Sequence, residues 1–139
     1  MRRLLVLAMS LAITAAGCSD STAPQNALSG NYTLRSIQGV QTSPWVIYQE
    51  PSFKEEVLSS TIAIDANGNF TTTTQLRDTY TGSPSTTYTD QYYGYWTLSG
   101  DQVSLTDTSG PTPYTYYGTV SGNTITVSSP SVGVQVYSK

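Results

Sequence analysis

Apolar and polar residues alternate with a period of two along most of the chain after Gly30. Successive side chains of a strand point to opposite faces, so this alternation predicts strands with one buried and one solvated face. No stretch holds a sustained helical period, and we predict an all-β fold. The positions expected to face inward are Tyr32, Leu34, Leu58, Ile62, Ile64, Phe70, Thr72, Thr74, Leu76, Trp96, Leu98, Val103, Leu105, Tyr114, Tyr116, Ile125, Val127, Val132, Val134 and Val136.

Glycine-containing turns separate these runs. The sequence "DANGNF" places Asn67-Gly68 between two alternating runs, and "LSGDQ" and "VSGNT" place Gly100 and Gly122 at equivalent corners. Tight hairpins need positive φ at such positions, which glycine adopts without a steric penalty. The phrase "TLSGDQVSLT" recurs as "TVSGNTITVS", and turn or strand roles account for every repeated residue. We therefore predict eight or nine antiparallel strands that close into a barrel or split into a sandwich.

The first residues have the pattern of a secretory signal peptide. Arg2 and Arg3 precede an apolar run over residues 4–13, and small residues lead up to Cys18. This order of charged, apolar and small residues directs export. The run is shorter than the roughly 20 residues that span a bilayer as a helix. We expect residues 1–17 to be removed.

The cleavage region resembles the lipobox of bacterial lipoproteins. Cys18 follows Ala15, Ala16 and Gly17, with Ala15 at the position where a lipobox usually has leucine. The resemblance implies that Cys18 carries diacylglycerol and an amide-linked chain such as palmitate, and two or three chains anchor a protein stably. The alternative is ordinary cleavage after Ala16 with a free thiol. Ser19, rather than aspartate, implies the outer membrane of the bacterial cell envelope.

Residues 18–29 are small and polar, which predicts a flexible tether before a domain at 30–139.

Composition limits the partners of the exported chain. Nine acidic residues oppose four basic ones in the exported part, which argues against nucleic acid and anionic headgroups as partners. Cys18 is the sole cysteine, so no disulfide forms within the chain and packing must hold the fold.

Two short motifs resemble the lipocalin superfamily. The sequence "GNYTL" at Gly30 resembles its Gly-x-Trp opening, with Tyr32 in place of the tryptophan, and "GYWTL" repeats the pattern with Trp96. Residues 28–139 look like the small bacterial lipocalin-like lipoprotein domains. The resemblance implies an up-and-down β-barrel. The arginine that ends the last strand in that superfamily is absent, and the chain ends in "VYSK" instead.

The residues offer little for catalysis. The chain has no histidine, which excludes Ser-His and Cys-His nucleophiles. Glu55 and Glu56 are neighbours, so on a strand they point to opposite faces and cannot form a glycosidase pair with each other. Glu50 or Asp90 could pair with another carboxylate in space, although no spacing indicates it. We predict a non-enzymatic protein with no catalytic residues and no cofactor.

One motif has the spacing of a metal site. Asp65, Asn67 and Asn69 space their oxygens like the start of a calcium loop. Gly68 stands in the fourth position rather than the sixth, and Leu76 takes the place of the closing glutamate. A hairpin turn explains these residues better, and we predict no metal site.

Aromatic residues are the remaining candidates for binding. Eleven tyrosines and two tryptophans are many for 139 residues. The alternation puts four aromatic residues inside the barrel as the candidate ligand-binding set, namely Tyr32, Trp96, Tyr114 and Tyr116. They could equally fill the core, because an eight-stranded barrel is barely wide enough for more than side chains. Short inward residues would leave room for a ligand, and these are Ser60, Thr72, Thr74 and Gly118.

Other aromatic residues are predicted to lie outside. An outward set comprises Tyr93, Tyr95, Tyr117 and Tyr137, which could stack on an envelope protein or glycan. The segment "SPWVIYQEPSF" places Trp45, Ile47, Tyr48 and Phe53 in a proline-flanked connection, and exposed apolar residues in such a loop would indicate a lid or docking edge. The leading interpretation is a membrane-tethered barrel that binds a small apolar or amphipathic molecule. The alternative is a structural or interaction module of the cell envelope.

Overall fold

Nine strands make up the regular structure of residues 28–139, the part of the chain that the computed structural model describes. They are β1 (Gly30–Ile37), β2 (Trp45–Glu50), β3 (Phe53–Ile64), β4 (Asn69–Tyr80), β5 (Thr86–Ser99), β6 (Gln102–Asp107), β7 (Tyr114–Ser121), β8 (Thr124–Ser129) and β9 (Gly133–Ser138). Cys18 and the predicted signal peptide lie outside the described residues. No helix within residues 28–139 is long and apolar enough to cross a membrane.

The strands form a closed antiparallel barrel. Their order is β1-β9-β8-β7-β6-β5-β4-β3-β2, and β1 also pairs with β3, so eight strands close and β2 is an additional strand. One edge of β3 pairs with two different strands along its length. Thr61 pairs with Thr33 of β1, whereas Val57 pairs with Trp45 of β2. The predicted up-and-down barrel is confirmed.

The predicted hairpin turns are confirmed at three glycines. Positive φ angles of 90°, 63° and 56° occur at Gly68, Gly100 and Gly122. In the first turn, Asp65 Oδ1 accepts hydrogen bonds from the backbone N–H groups of Asn67 at 2.9 Å and Asn69 at 2.8 Å. The side chain of Asn69 also donates to Asp65, and these bonds hold the pKa of Asp65 below its ordinary value. The carboxylate thus supports a turn, as predicted.

One end of the barrel is closed by packed aromatic residues. Tyr32 is completely buried, and its hydroxyl donates to the carbonyl of Leu28 at 2.8 Å. Lys139 Nζ lies 4.9 Å from the centre of the Tyr32 ring and donates to the carbonyl of Ser29 at 2.8 Å. Tyr32 and Lys139 therefore form a cation–π contact where the resemblance expects a tryptophan and an arginine.

Two strands face differently from the sequence-based expectation. In β9, Tyr137 is 3% exposed and Val134 is 46% exposed, so the predictions of an outward Tyr137 and an inward Val134 were wrong. The Tyr137 hydroxyl lies 3.2 Å from Ser60 Oγ and donates to Gln135 Oε1 at 2.8 Å, which satisfies it inside the barrel. In β3, a bulge between Val57 and Ser59 reverses the alternation. Val57 is buried and Leu58 is not, contrary to prediction.

The segment predicted as a proline-flanked connection contains a strand. Residues Trp45–Glu50 form β2, and the indole of Trp45 is buried, with Nε1 donating to the carbonyl of Val40 at 2.7 Å. Phe53 begins β3. The expectation of a loop was wrong because pairing with β3 satisfies this segment's backbone.

Candidate functional site

A cavity of about 370 Å³ opens at the end of the barrel opposite the three glycine turns. The deep part of the cavity, its floor, is apolar and is lined by Ile62, Phe70, Leu105 and Val127. These side chains come from four different strands and all belong to the hydrophobic core. The volume exceeds the roughly 300 Å³ at which pockets accept drug-sized ligands. The barrel thus has an interior that its own side chains do not fill.

A belt of hydroxyl groups crosses the middle of the cavity. Ser60 Oγ lies 2.8 Å from Thr74 Oγ1 and 3.2 Å from the hydroxyl of Tyr137. Burial raises the pKa of Tyr137, and the hydrogen bond with Ser60 offsets part of this effect. Every fully buried side-chain nitrogen or oxygen in residues 28–139 has a hydrogen-bond partner. The belt is therefore satisfied without a ligand.

The mouth of the cavity is acidic and rich in tyrosine. Glu55 of β3 and Asp90 of β5 line it, together with Tyr92 of β5. Glu55 Oε1 accepts from the hydroxyl of Tyr88 at 2.9 Å, and Asp90 Oδ2 accepts from that of Tyr92 at 3.2 Å. Both ion pairs of the described residues involve Glu56 instead. Neither lining carboxylate is neutralised by a lysine or arginine of this part of the chain.

Tyrosines at the mouth resist ionisation. Burial, followed by a hydrogen bond to Glu55 and its charge, raises the pKa of Tyr88. Burial and the nearby charge of Asp90 raise the pKa of Tyr92. Burial and the charge of Asp107 do the same for Tyr116. These hydroxyls stay protonated at neutral pH, so they act as hydrogen-bond donors.

A comparison with known families agrees with the fold. A family model described as "Lipocalin-like domain" matches residues 28–127, well over half of the chain. The chain belongs to the lipocalin-like domain family. A search of the curated proteins finds no match. The matched region contains the four apolar residues of the cavity floor, whereas Tyr137 and Gln135 on β9 lie beyond it.

The lipocalin-like barrel separates the four predicted ligand-binding residues. Tyr116 lines the cavity. Tyr114 is 45% exposed and packs its ring edge-on against Tyr116, with 4.8 Å between the ring centres. Tyr32 and Trp96 lie beneath the cavity rather than on its wall, because they fill the closed end. The indole Nε1 of Trp96 donates there to the carbonyl of Asp65 at 3.1 Å. Ligand contact by these four residues stays a prediction.

The predicted short residues have different roles. Ser60, Thr72 and Thr74 line the cavity and leave space in it, as expected. Gly118 does not line it, and a Cβ atom at this position would collide with the carbonyl of Thr126. Gly118 therefore permits a close approach of β8 rather than creating room for a ligand.

Sequence reasoning missed several residues of the lining. Asp90 and Tyr92 have the same parity as Trp96 on β5, which was a usable signal for their inward orientation. Glu55 could not be assigned in this way, because the bulge after Val57 interrupts the alternation.

On the outer face, the prediction of exposed tyrosines is confirmed for three positions. Tyr93, Tyr95 and Tyr117 are 56%, 51% and 69% exposed. No three carboxylates within residues 28–139 lie close enough together to hold a metal ion.

Proposed function

We propose that this lipocalin-like domain is a non-enzymatic binding protein for a small amphipathic molecule. The cavity carries the proposal, because an apolar floor and a polar, open mouth suit a ligand with one apolar and one polar end. Because the hydroxyl belt is already hydrogen-bonded, the buried end of the ligand does not have to supply hydrogen-bonding groups. Lipocalin-like domains are generally non-catalytic binding proteins, which agrees with this role.

A neutral fluorescent probe such as phenylnaphthylamine tests the cavity. The full chain should bind it saturably, with increased probe fluorescence. Thr74→Phe should abolish this binding, because Thr74 lines the cavity and a benzyl side chain would occupy it. Thr71→Phe is the matched control, since Thr71 is exposed on the same strand and does not line this cavity. Equal binding by both variants would contradict the proposal, provided that both keep the wild-type circular dichroism spectrum.

We further propose that the mature protein is anchored in the outer membrane of a bacterial envelope through Cys18. The lipobox-like sequence before Cys18 supports this proposal. Intact mass spectrometry of membrane-extracted protein should show loss of residues 1–17 and the added mass of acyl chains. The Cys18→Ser variant should lack this addition and should leave the membrane fraction. An unmodified thiol on soluble wild-type protein would refute the anchor.

An interaction module of the cell envelope is the second candidate. The exposed tyrosines on the outer face, Tyr93, Tyr95 and Tyr117, favour it, since aromatic rings can stack on a glycan or a protein surface. This role does not need the cavity, so the Thr74→Phe variant should retain it. Saturable probe binding that Thr74→Phe abolishes would favour the ligand-binding function, and the absence of probe binding would favour the interaction module.

A further inference from the structure

The mouth of the cavity holds more negative charge than its surroundings balance. Glu55 and Asp90 line it, and Asp78 lies directly opposite Glu55 in the pairing of β3 with β4. Like charges in directly opposed positions destabilise a sheet. The Tyr88 hydroxyl lies between these acids, 2.9 Å from Glu55 Oε1 and 3.5 Å from Asp78 Oδ1. This hydroxyl supplies one proton, which leaves both charges in place.

The cations of the described residues are engaged elsewhere. Lys54 and Arg77 contact Glu56 at 2.9 Å and 2.8 Å. Arg35 Nε donates to Ser138 Oγ at 2.8 Å, and Lys139 packs on Tyr32 at the closed end. None of these four side chains lines the cavity. A ligand that enters the mouth therefore meets carboxylates and tyrosines without a competing lysine or arginine from residues 28–139.

The rest of the lining fixes the orientation of such a ligand. The floor is apolar, and the hydroxyl belt above it is already hydrogen-bonded. A charged group would lose its hydration at the floor without gaining a partner there. At the mouth, Tyr92 and Tyr116 line the cavity beside the two carboxylates, and aromatic rings attract cations to their faces. The apolar end should thus lie inside and the charged end at the mouth.

We propose that the cavity selects cationic amphiphiles, with an ammonium group at the mouth near Glu55 and Asp90 and an apolar body on the floor. This inference rests on the proposed ligand-binding function. An organic cation fits better than a metal ion, because no three carboxylates of residues 28–139 converge on one point. Burial contributes most to the raised pKa of Tyr88, and the smaller contributions from the charges of Glu55, Asp78 and Asp90 agree with a negative potential at the mouth.

Three probes with the same alkyl chain test the charge preference. Dodecylammonium, dodecanol and dodecanoate are titrated into the purified full chain by calorimetry at neutral pH, each below the concentration at which it forms micelles or separates from solution. We expect dodecylammonium to bind about tenfold more tightly than dodecanol, and dodecanoate to bind more weakly than both. A higher salt concentration should reduce the differences in affinity between the three probes, since partly exposed charges are screened.

Isosteric variants assign the preference to named residues. Glu55→Gln and Asp90→Asn remove one charge each, and both new side chains keep an oxygen that can accept the tyrosine hydrogen bond. Each should weaken dodecylammonium binding by about three- to tenfold and should weaken dodecanol binding less, because dodecanol carries no charge. Asp101→Asn is the matched control, because it changes the net charge equally on the turn at the closed end. It should leave all three affinities unchanged.

The outcomes distinguish this inference from the function on which it rests. Equal binding of dodecylammonium and dodecanol would refute the charge preference and leave the ligand-binding function intact. An ammonium preference that persists in the double variant of Glu55 and Asp90 would also refute it. Binding of none of the three probes would refute the ligand-binding function itself. Thermal melts of each variant check that the barrel is folded.

Discussion

Gly94 and Gly100 belong to the same hairpin, yet glycine is needed at the two positions for different reasons. Gly100 has a φ of 63°, and open space surrounds the place where its Cβ would lie. Gly94 sits inside β5, where a Cβ atom would collide with the carbonyl of Thr106 on β6. The first requirement arises from the backbone conformation of one residue. The second arises from a close approach of two strands.

Alanine substitutions should separate the two requirements. We expect Gly100→Ala to lower the free energy of unfolding by about 1 kcal/mol, because alanine resists positive φ. Gly94→Ala should lower it by about 3 kcal/mol, because the backbone of β6 must move. Urea denaturation of both variants measures the difference. Equal losses would show that the strands do not approach so closely at Gly94.

Between β3 and β4, a buried carboxylate is held by two cations. Glu56 is 3% exposed, and Lys54 and Arg77 contact its two oxygens. Burial alone would raise the pKa of Glu56, but the hydrogen bonds and charges of Lys54 and Arg77 outweigh burial and lower it. Arg77 lies directly opposite Glu56 in the register of the two strands. The ion pairs therefore depend on the correct pairing of these elements.

Removal of one cation should destabilise the barrel in a pH-dependent way. Arg77→Met should lower the free energy of unfolding by about 2 kcal/mol at neutral pH, because Glu56 keeps only Lys54. A lowered folded-state pKa stabilises the protein above the unfolded-state value of about 4.3, and this contribution is lost as the pH falls through the folded-state pKa. The difference between variant and wild type should thus shrink below about pH 4.3.

Arg35→Met is the matched control, because Arg35 is exposed and its side-chain Nε donates to the Ser138 hydroxyl rather than to a carboxylate. Its effect on stability should be small and should not follow the titration of Glu56. Urea denaturation at several pH values compares the two variants. A constant difference between Arg77→Met and wild type across the acid range would contradict the role of Glu56.

At the scale of the whole molecule, one end of the barrel is packed shut and the other end carries the cavity. The closed end joins residues from both chain termini of the described region: Leu28 is buried, its carbonyl accepts from Tyr32, and Lys139 contacts Ser29. The open end carries the cavity and its acidic mouth. Stability and ligand binding should therefore respond to different truncations and substitutions.

Truncation from the N-terminus locates the start of the stable unit. A chain that begins at Ala27 should unfold with the same free energy as one that begins at Ser19. A chain that begins at Asn31 should lose about 3 kcal/mol, because it lacks the buried Leu28 side chain and the carbonyls that Tyr32 and Lys139 contact. Thermal and urea unfolding of the three chains measures this loss, and equal stability of all three would exclude a structural role for residues 28–30.

The sequence by itself determined the features that arise from local physics. The alternation of Phe70 through Leu76 predicted an inward and an outward face, and positive φ at Gly68 followed from the short hairpin turn. Both depend on residues close together in the chain, so their pattern is visible without the fold. The same reasoning correctly placed Tyr116 and Trp96 on the inner side.

Only the tertiary structure decided what lies at each depth of the barrel and which strands bend. The alternation shows which side chains point inward, but it does not show how far along the barrel axis they lie. Trp96 could therefore be assigned to the interior but not to the closed end below the cavity. The bulge that turns Val57 inward and the burial of Tyr137 depend on partners far away in the chain, such as Leu76 and Ser60. The acidic mouth likewise arises because β3 and β5 both pair with β4, which brings Glu55 and Asp90 to one opening, and no local pattern encodes that meeting.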